Sequence, residues 1–213
     1  MTIRKGAAWG RPGRLTDTQA LWFDDTSAAR AFHQALPDER FRMALAPGTD
    51  MATTLGITDG AQQQAVLAGE DATVVPIDLG LASLDGGPPR PFLAHCVAHR
   101  GRRRLSSRPW RGRFVVAMNA AWHGDLYLAP KGHPNDGRLD LTDGTISTRE
   151  WSEFRKRAKT GTHVPHPDLS TFATSSWSTD FEKPTMVWTD GVRMGWCRRL
   201  ELTVIPDAGE IVI

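Results

Sequence analysis

The sequence predicts an α+β protein dominated by antiparallel β-sheet. Short segments that alternate in polarity or are rich in β-branched residues follow one another through residues 71–213, with Asp-Gly turns between some of them. Few segments have helical spacing. The 20 glycines and 14 prolines among 213 residues are more typical of a turn-rich sheet than of a helical bundle.

The composition is that of a protein with its own core, since 40% of the residues are hydrophobic and 23% are charged. Cys96 and Cys197 are the only cysteines and have no CxxC spacing, which argues against a disulfide scaffold or a structural zinc site. The first residues contain no apolar signal-peptide core, and no run approaches the roughly 18 apolar residues of a membrane span. We therefore expect a soluble, cytoplasmic protein.

The amino-terminal third is expected to begin with an irregular arm over residues 1–17. Asp25 or Thr26 can cap the first helix, and Pro37 would end it. The turn Pro47-Gly48-Thr49 separates a strand from the next helix. The elements predicted here are the strands 20–23 and 42–46 and the helices 27–35, 50–55 and 61–68.

The rest of the chain is predicted to be mainly strand. One later helix is expected over residues 147–159, because Trp151, Phe154 and Ala158 share a face at helical spacing. Asp190-Gly191 is typical of a hairpin turn. The predicted strands are 73–79, 92–98, 113–119, 126–129, 136–144, 184–188, 192–196, 200–205 and 210–213.

Three short motifs are candidates for chemistry. The turn at Gly48 and Thr49 precedes a helix and can present backbone N–H groups to a phosphate, although it is not a Walker A loop and a simple helix cap explains it too. Asp136 lies at a turn where nearby carbonyls can join it around Mg²⁺, with a polar hairpin loop as the alternative. Asp190 can act as a general base if its hairpin tip reaches a cleft, or serve only the turn.

Positive charge is concentrated in two stretches, although the formal net charge is only +2. Basic patches attract phosphates, anionic lipid or nucleic acid, and a solvated loop and a solvated helix face are the alternatives. The residues expected to face an anionic membrane surface are Arg102, Arg103, Arg104, Arg155 and Lys156.

Five segments, taken in order, carry a family resemblance: PGTDMATTLGI, IDLG, RPFLAH, VVAMNAAWHGDLYLAPKGHPNDGRLDL and WTDGVRMGWCRRLELTVIPDAGEIVI. They resemble the soluble bacterial diacylglycerol/lipid kinase family, which is related to sphingosine kinases and, more distantly, to NAD kinases. The resemblance covers residues 42–213. TGTHVPHPDL and MTIRKG are similar to a short actinobacterial branch of diacylglycerol-kinase-like proteins.

The resemblance implies a nucleotide-binding domain followed by a β-rich domain. In this chain it implies a truncated remnant of the first in residues 1–70 and the β-rich domain in residues 71–213. Gly48 and Thr49 would then border the nucleotide cleft. The resemblance further implies that Asp190 accepts the proton of a lipid hydroxyl.

A second implied site is a Mg²⁺ ion held by the Asp136 carboxylate and by the backbone carbonyls of His133 and Arg138. This set of one carboxylate and two carbonyls matches the preference of Mg²⁺ for oxygen ligands.

The chain also departs from the family pattern. No Gly-Gly-Asp-Gly-Thr segment precedes Gly48, Asp50 stands where the family has Asn, and Val192 replaces the Glu of Asp-Gly-Glu. Phosphoryl transfer depends on positioning and on charge stabilisation around the phosphates. We therefore expect a lipid-kinase-like protein that binds a lipid head group or another phosphate-containing ligand, with Mg²⁺, and lacks full ATP-dependent kinase activity.

Two alternatives stay open. One is an active ATP-dependent lipid kinase whose nucleotide site is reduced or completed by an oligomer. The other is a nucleic-acid-binding module in which the arginines of residues 100–113 contact phosphates and Trp110 stacks on bases. The expected partners are a phosphate-containing small molecule or lipid, an anionic membrane surface and, because sheets have exposed edges, a second copy of this chain.

Overall fold

A computed structural model describes residues 8–15, 22–36, 41–100, 110 and 112–213. Its helices are α1 (Asp25–Ala35), α2 (Asp50–Thr54), α3 (Gly60–Leu67) and α4 (Trp151–Ala158). The first strands are β1 (Arg11–Gly13), β2 (Trp22–Phe23), β3 (Arg42–Leu45), β4 (Ala72–Leu84), β5 (Arg90–Phe92), β6 (His95–His99) and β7 (Phe114–Met118). The later strands are β8 (Trp122–His123), β9 (Leu126–Tyr127), β10 (Leu139–Gly144), β11 (Leu169–Thr174), β12 (Ser176–Thr189) and β13 (Val192–Val212).

The predicted α+β class is confirmed: a mainly antiparallel sheet is the dominant structure among the described residues, with few helices. The main path of the sheet runs β1-β4-β13-β12-β6-β7-β10-β11. Beside this path, β5 pairs with β4, and the short parallel pair of β2 and β3 joins the end of β13. None of the described helices has the length and apolarity to cross a membrane.

The last strand is longer than the sequence predicted. Three expected strands merge into β13, which pairs with β12 along its first half and with β4 from Leu200 onward. Its pairing register with β4 shifts between Ile205 and Gly209, and Asp207 there has a φ of 51°. A β-bulge bends a strand without ending it, so the ladder continues. Gly209 is required at the bend because a Cβ would lie 2.1 Å from the Phe32 ring.

Several predicted boundaries were wrong for local reasons. Asp24, not Asp25 or Thr26, caps α1, since its carboxylate accepts from the Ser27 N–H at 2.7 Å. The later helix begins at Trp151 rather than at residue 147, because Ser147 bonds the Glu150 side chain in a preceding turn. The strand expected over residues 136–144 begins at Leu139, and the strand expected over 126–129 ends at Tyr127.

The hydrophobic core joins residues from both sides of the boundary predicted at residue 70. In one buried cluster, Phe32 and Met43 from the amino-terminal part pack with Ile77, Leu79 and Ile211 from the sheet. Burial of such side chains stabilises a fold by about 1.5–3 kcal/mol each. The two-domain division stays a prediction, and this shared cluster holds the amino-terminal elements on the sheet.

Candidate functional site

A cleft of about 340 Å³ opens where three chain segments meet: Asp24–Thr26, Gly48–Asp50 and Asp190–Val192. The first two segments meet because β2 and β3 are parallel neighbours, so the helices that follow them start at the same edge of the sheet. The third is the turn between β12 and β13, held there by the Asp190 N–H, which donates to the His95 carbonyl at 2.9 Å. Residues predicted separately at Gly48, Thr49 and Asp190 are thus brought together.

Asp190 is held rigidly at this cleft. Its carboxylate accepts three backbone N–H bonds, from Leu93 and Ala94 at 2.8 Å and from His95 at 3.0 Å, and the side chain is 1% exposed. Burial raises the pKa of this carboxyl, against the lowering effect of His95 and the three N–H groups. In this conformation Asp190 clamps the start of β6 to the hairpin. Its role as proton acceptor stays a prediction.

The turn at Gly48 and Thr49 begins α2, as predicted, but the helix N–H groups already have partners. The Thr49 hydroxyl accepts from the Ala52 N–H at 3.1 Å. One oxygen of the Asp25 carboxylate accepts from the backbone N–H groups of Asp50 at 3.0 Å and Met51 at 3.2 Å. A phosphate contact at Gly48 and Thr49 stays a prediction, and it would not use those three N–H groups while these bonds persist.

Asp25 itself is a buried acid beside a second acid. Burial and the negative charge of Asp190 raise the pKa of Asp25 to about 7. Its other oxygen is buried and has no hydrogen-bond partner among the described residues. The cleft therefore holds two carboxyl groups whose charges oppose each other.

Sequence reasoning missed a group formed by Asp50, His95 and His123. One Asp50 carboxylate oxygen lies 2.8 Å from His95 Nε2 and 3.2 Å from His123 Nδ1, and the other accepts from the Gly124 N–H at 2.8 Å. The two imidazole rings meet edge to face with their centroids 4.0 Å apart. His95 lies in the RPFLAH segment and His123 in the WHGD segment, but no local spacing connects them to each other or to Asp50.

The charges in this group support one another. Burial alone would raise the pKa of Asp50, but the hydrogen bonds from His123 and His95 outweigh it and hold that pKa well below its ordinary value. Burial likewise opposes protonation of His95, yet its hydrogen bond to Asp50 and the charges of Asp190 and Asp50 raise its pKa. Asp50 is thus ionised and paired with imidazole nitrogen at the edge of the cleft.

Asp136 lies elsewhere, on the loop before β10, and does not line this cleft. One of its carboxylate oxygens accepts from the Arg138 N–H at 3.0 Å, and burial raises its pKa. The His133 ring packs edge-on against Trp9 at 4.5 Å. A Mg²⁺ ion held by Asp136 and by the carbonyls of His133 and Arg138 stays a prediction.

The loop of Asp136 is fastened to the sheet by a fully buried neighbour, Asp78. Its carboxylate accepts from the Gly137 N–H at 2.6 Å, from the Asp207 N–H at 2.9 Å and from the Asn135 side chain at 3.1 Å. Burial raises the pKa of Asp78 to about 6. Each of these three partners of the carboxylate belongs to the loop or to the bend in β13.

The basic residues are only partly described. Arg102, Arg103 and Arg104 lie outside the described residues. Lys156 is exposed on α4, whereas Arg155 is half-buried and bonds Asp125 at 3.1 Å. Trp110, which was considered for stacking on bases, is 3% exposed and packs against Phe114, Trp151 and His99.

No protein-family model and no curated protein matches this sequence. Solved structures do match it. One, described as "a putative diacylglycerol kinase from Bacillus anthracis str. Sterne", has a TM-score of 0.64 and 15% identity over 90% of this chain and 75% of its own. Another, of a diacylglycerol kinase from the same organism, has a TM-score of 0.51 and 14% identity over 81% of this chain and 66% of its own. At these identities the likeness establishes the fold alone: it is diacylglycerol-kinase-like.

Proposed function

Starting from a diacylglycerol-kinase-like fold, we propose that this chain binds a phosphate-containing ligand, together with a divalent cation, in the cleft at Gly48, Thr49 and Asp190. The ligand is a lipid head group or a nucleotide, which share the phosphate. We propose further that the chain does not catalyse the complete lipid kinase reaction. That absence of activity was expected because no Gly-Gly-Asp-Gly-Thr segment precedes Gly48. The resemblance to a short actinobacterial branch stays a prediction.

The acidity of the cleft is the observation that carries this proposal. Aspartates 24, 25, 50 and 190 line it, and none of the described lining residues is Lys or Arg. A phosphate brought into such a cleft alone would be repelled. A divalent cation between carboxylates and phosphate removes the repulsion, as in other phosphoryl-binding sites. Binding should therefore depend strictly on a divalent cation.

The state of Asp190 argues against turnover. A general base must reach the hydroxyl whose proton it accepts. The Asp190 carboxylate is buried, and both of its oxygens accept backbone N–H bonds. For this carboxylate to reach a lipid hydroxyl, the hairpin turn would have to move and strain these three hydrogen bonds, each to a charged group and worth about 1.5–3 kcal/mol.

Calorimetry with ATP as the phosphate probe tests the binding. We expect heat of binding with a divalent cation and none in a chelator. Val192→Trp, which fills the mouth of the cleft, should weaken binding at least tenfold, whereas the matched exposed substitution Phe172→Trp should not. Binding that persists in chelator, or that is unaffected by Val192→Trp, would contradict the proposal.

Two further measurements separate the sources of the phosphate and test catalysis. Co-sedimentation with phosphatidylcholine vesicles, with and without phosphatidic acid, reports a lipid head group, and the exposed Lys156 should contribute about 1 kcal/mol to it. Transfer of labelled phosphate from ATP to dioctanoylglycerol reports kinase activity. Turnover that disappears in Asp190→Asn would establish the active kinase instead.

A further inference from the structure

We infer that Asp50, His95 and His123 form a binding site for one transition-metal ion of the Zn²⁺ class. The inference deepens the proposed function by naming the cation of the cleft and its ligands. It rests on that function only for the phosphate beside the ion, since the three ligands are defined without it.

The donor atoms are already arranged around a common point. One ligand atom from each of Asp50, His95 and His123 lies within 4.8 Å of the other two. Asp50 Oδ2 is 2.8 Å from His95 Nε2 and 3.2 Å from His123 Nδ1. Around a tetrahedral zinc ion with bonds of about 2.0–2.1 Å, neighbouring donor atoms are about 3.3 Å apart. Small shifts of the three donor atoms toward this spacing would therefore admit the ion, which would replace the two hydrogen bonds.

The three side chains are held by separate parts of the fold. Asp50 begins α2, His95 begins β6 and His123 ends β8. The Thr54 hydroxyl of α2 accepts the Ala121 N–H at 2.9 Å, which fixes α2 against the segment that carries His123. Because the Gly124 N–H occupies Asp50 Oδ1, the other carboxylate oxygen is left for a single bond to the ion.

The surroundings of His95 fit a metal ligand. Its Nδ1 is buried, has no hydrogen-bond partner among the described residues and lies 4.0 Å from Asp190 Oδ1. A metal-bound imidazole carries its proton on the other nitrogen and usually directs it at a carboxylate. Metal at Nε2 would place that proton on Nδ1, facing Asp190, which gives the buried carboxylate a positioning role.

The donor set and its burial decide the kind of ion. Two imidazole nitrogens favour Zn²⁺ and its neighbours, whereas Mg²⁺ prefers oxygen. His95 and His123 are 2% and 8% exposed and Asp50 is 19% exposed, so the site is closed except on the side of the cleft that Asp50 lines. Three protein ligands with an open fourth position are typical of zinc sites that bind a substrate. A phosphate oxygen can take that position.

Titration of the full chain with the metal alone tests the inference, after removal of metals with a chelator and without any phosphate ligand. We expect one Zn²⁺ per chain, at least about 100-fold tighter than Mg²⁺. His123→Asn should weaken Zn²⁺ binding at least about 100-fold, whereas the control His33→Asn, on α1, should not. No Zn²⁺ binding, or unchanged binding by His123→Asn, would overturn the inference.

X-ray absorption of the wild-type chain with one equivalent of Zn²⁺ gives a test without variants. Two imidazoles in the first shell support the site, and a shell without imidazole overturns it. The two proposals fail separately: Mg²⁺-dependent ATP binding without a zinc site overturns only this inference. A zinc site without ATP binding overturns only the proposed function.

Discussion

Two groups of buried or half-buried aspartates in this molecule can be compared by the partners of their carboxylates. The cleft group is Asp25, Asp50 and Asp190; the loop group centres on Asp78, with Asp136 beside it. Asp78 is surrounded by donors of its own chain and is fully buried. Asp50 instead shares one oxygen between two imidazoles at the edge of a cavity.

The hydrogen-bond partners of a carboxylate, rather than its burial, distinguish a structural aspartate from a candidate metal ligand. A carboxylate whose acceptor sites are filled by backbone N–H groups fastens a loop and gains little from any ion. A carboxylate oxygen whose partners are imidazole nitrogens, as Asp50 Oδ2 is, can exchange them for a metal. Asp190 lies in the cleft but has the partners of a structural acid, which is why we assign it a positioning role.

The largest effect is expected for Asp78→Ala. The change leaves the Gly137 and Asp207 N–H groups without their buried acceptor, which should lower the free energy of unfolding by about 3 kcal/mol. Urea denaturation measures the loss. In Asp136→Ala, which removes only the bond from Arg138, the loss should stay below about 1 kcal/mol. Equal losses of unfolding free energy in the two variants would show that Asp78 is no more important than Asp136 for fastening the loop.

The next effect concerns Asp25 and depends on pH. Its pKa is about 7 in the folded chain and 3.8 as the ordinary value, so the folded state binds more protons between these values. The free energy of unfolding therefore falls as the pH rises from about 4 to 7. Asp25→Asn should flatten this fall and be more stable than the wild type at pH 8 by on the order of 2 kcal/mol.

Urea denaturation at pH 4.5 and pH 8 measures this difference, with Asp24→Asn as control, since the pKa of Asp24 is lowered by its bonds to Ser27. The 2 kcal/mol is smaller than the full pKa shift implies, because the Asn amide would replace a buried oxygen that has no partner. An unchanged pH slope in Asp25→Asn would show that the cleft group is not strained by its charges.

A smaller effect is expected for Mg²⁺ at Asp136, and it tests whether the loop group prefers a different metal from the cleft group. If Asp136 holds Mg²⁺, the ion at tenfold excess over its dissociation constant should stabilise the wild type by about 1.4 kcal/mol. Asp136→Asn should lose this gain, and Asp125→Asn, an exposed acid elsewhere, should keep it. Thermal unfolding with and without Mg²⁺ reports the result, and an equal gain in all three proteins would place the ion elsewhere.

The smallest effect is spectroscopic. Asp50→Asn removes the carboxylate that raises the pKa of His95, so that pKa should fall. Imidazole signals in a nuclear magnetic resonance titration follow it. Asp24→Asn, which lines the same cleft, should leave the pKa of His95 where it is. A constant value in Asp50→Asn would show that the pairing in the cleft group is not electrostatic.

Local patterns were sufficient for the fold class and for parts of the site. Alternation around Leu200 and Leu202 and the Asp190-Gly191 turn predicted the strand and the hairpin that the structure contains. The turn at Gly48 and Thr49 was predicted as a helix start. These features depend on contacts within a few residues, where turn chemistry and side-chain period are decisive.

Other features were decided only by the tertiary structure. His95 and His123 are 28 residues apart and reach the same Asp50 oxygen from different strands, so no window along the chain connects them. Likewise, Asp190 was predicted as a turn residue or a base, and its burial and its bonds to three N–H groups about 95 residues away were not foreseen. The chain by itself determined which segments are strands and turns, because that information is local. Which carboxylates are clamped and which face imidazole was decided by the pairing of distant strands, because buried charges take their properties from whatever neighbours the fold brings to them.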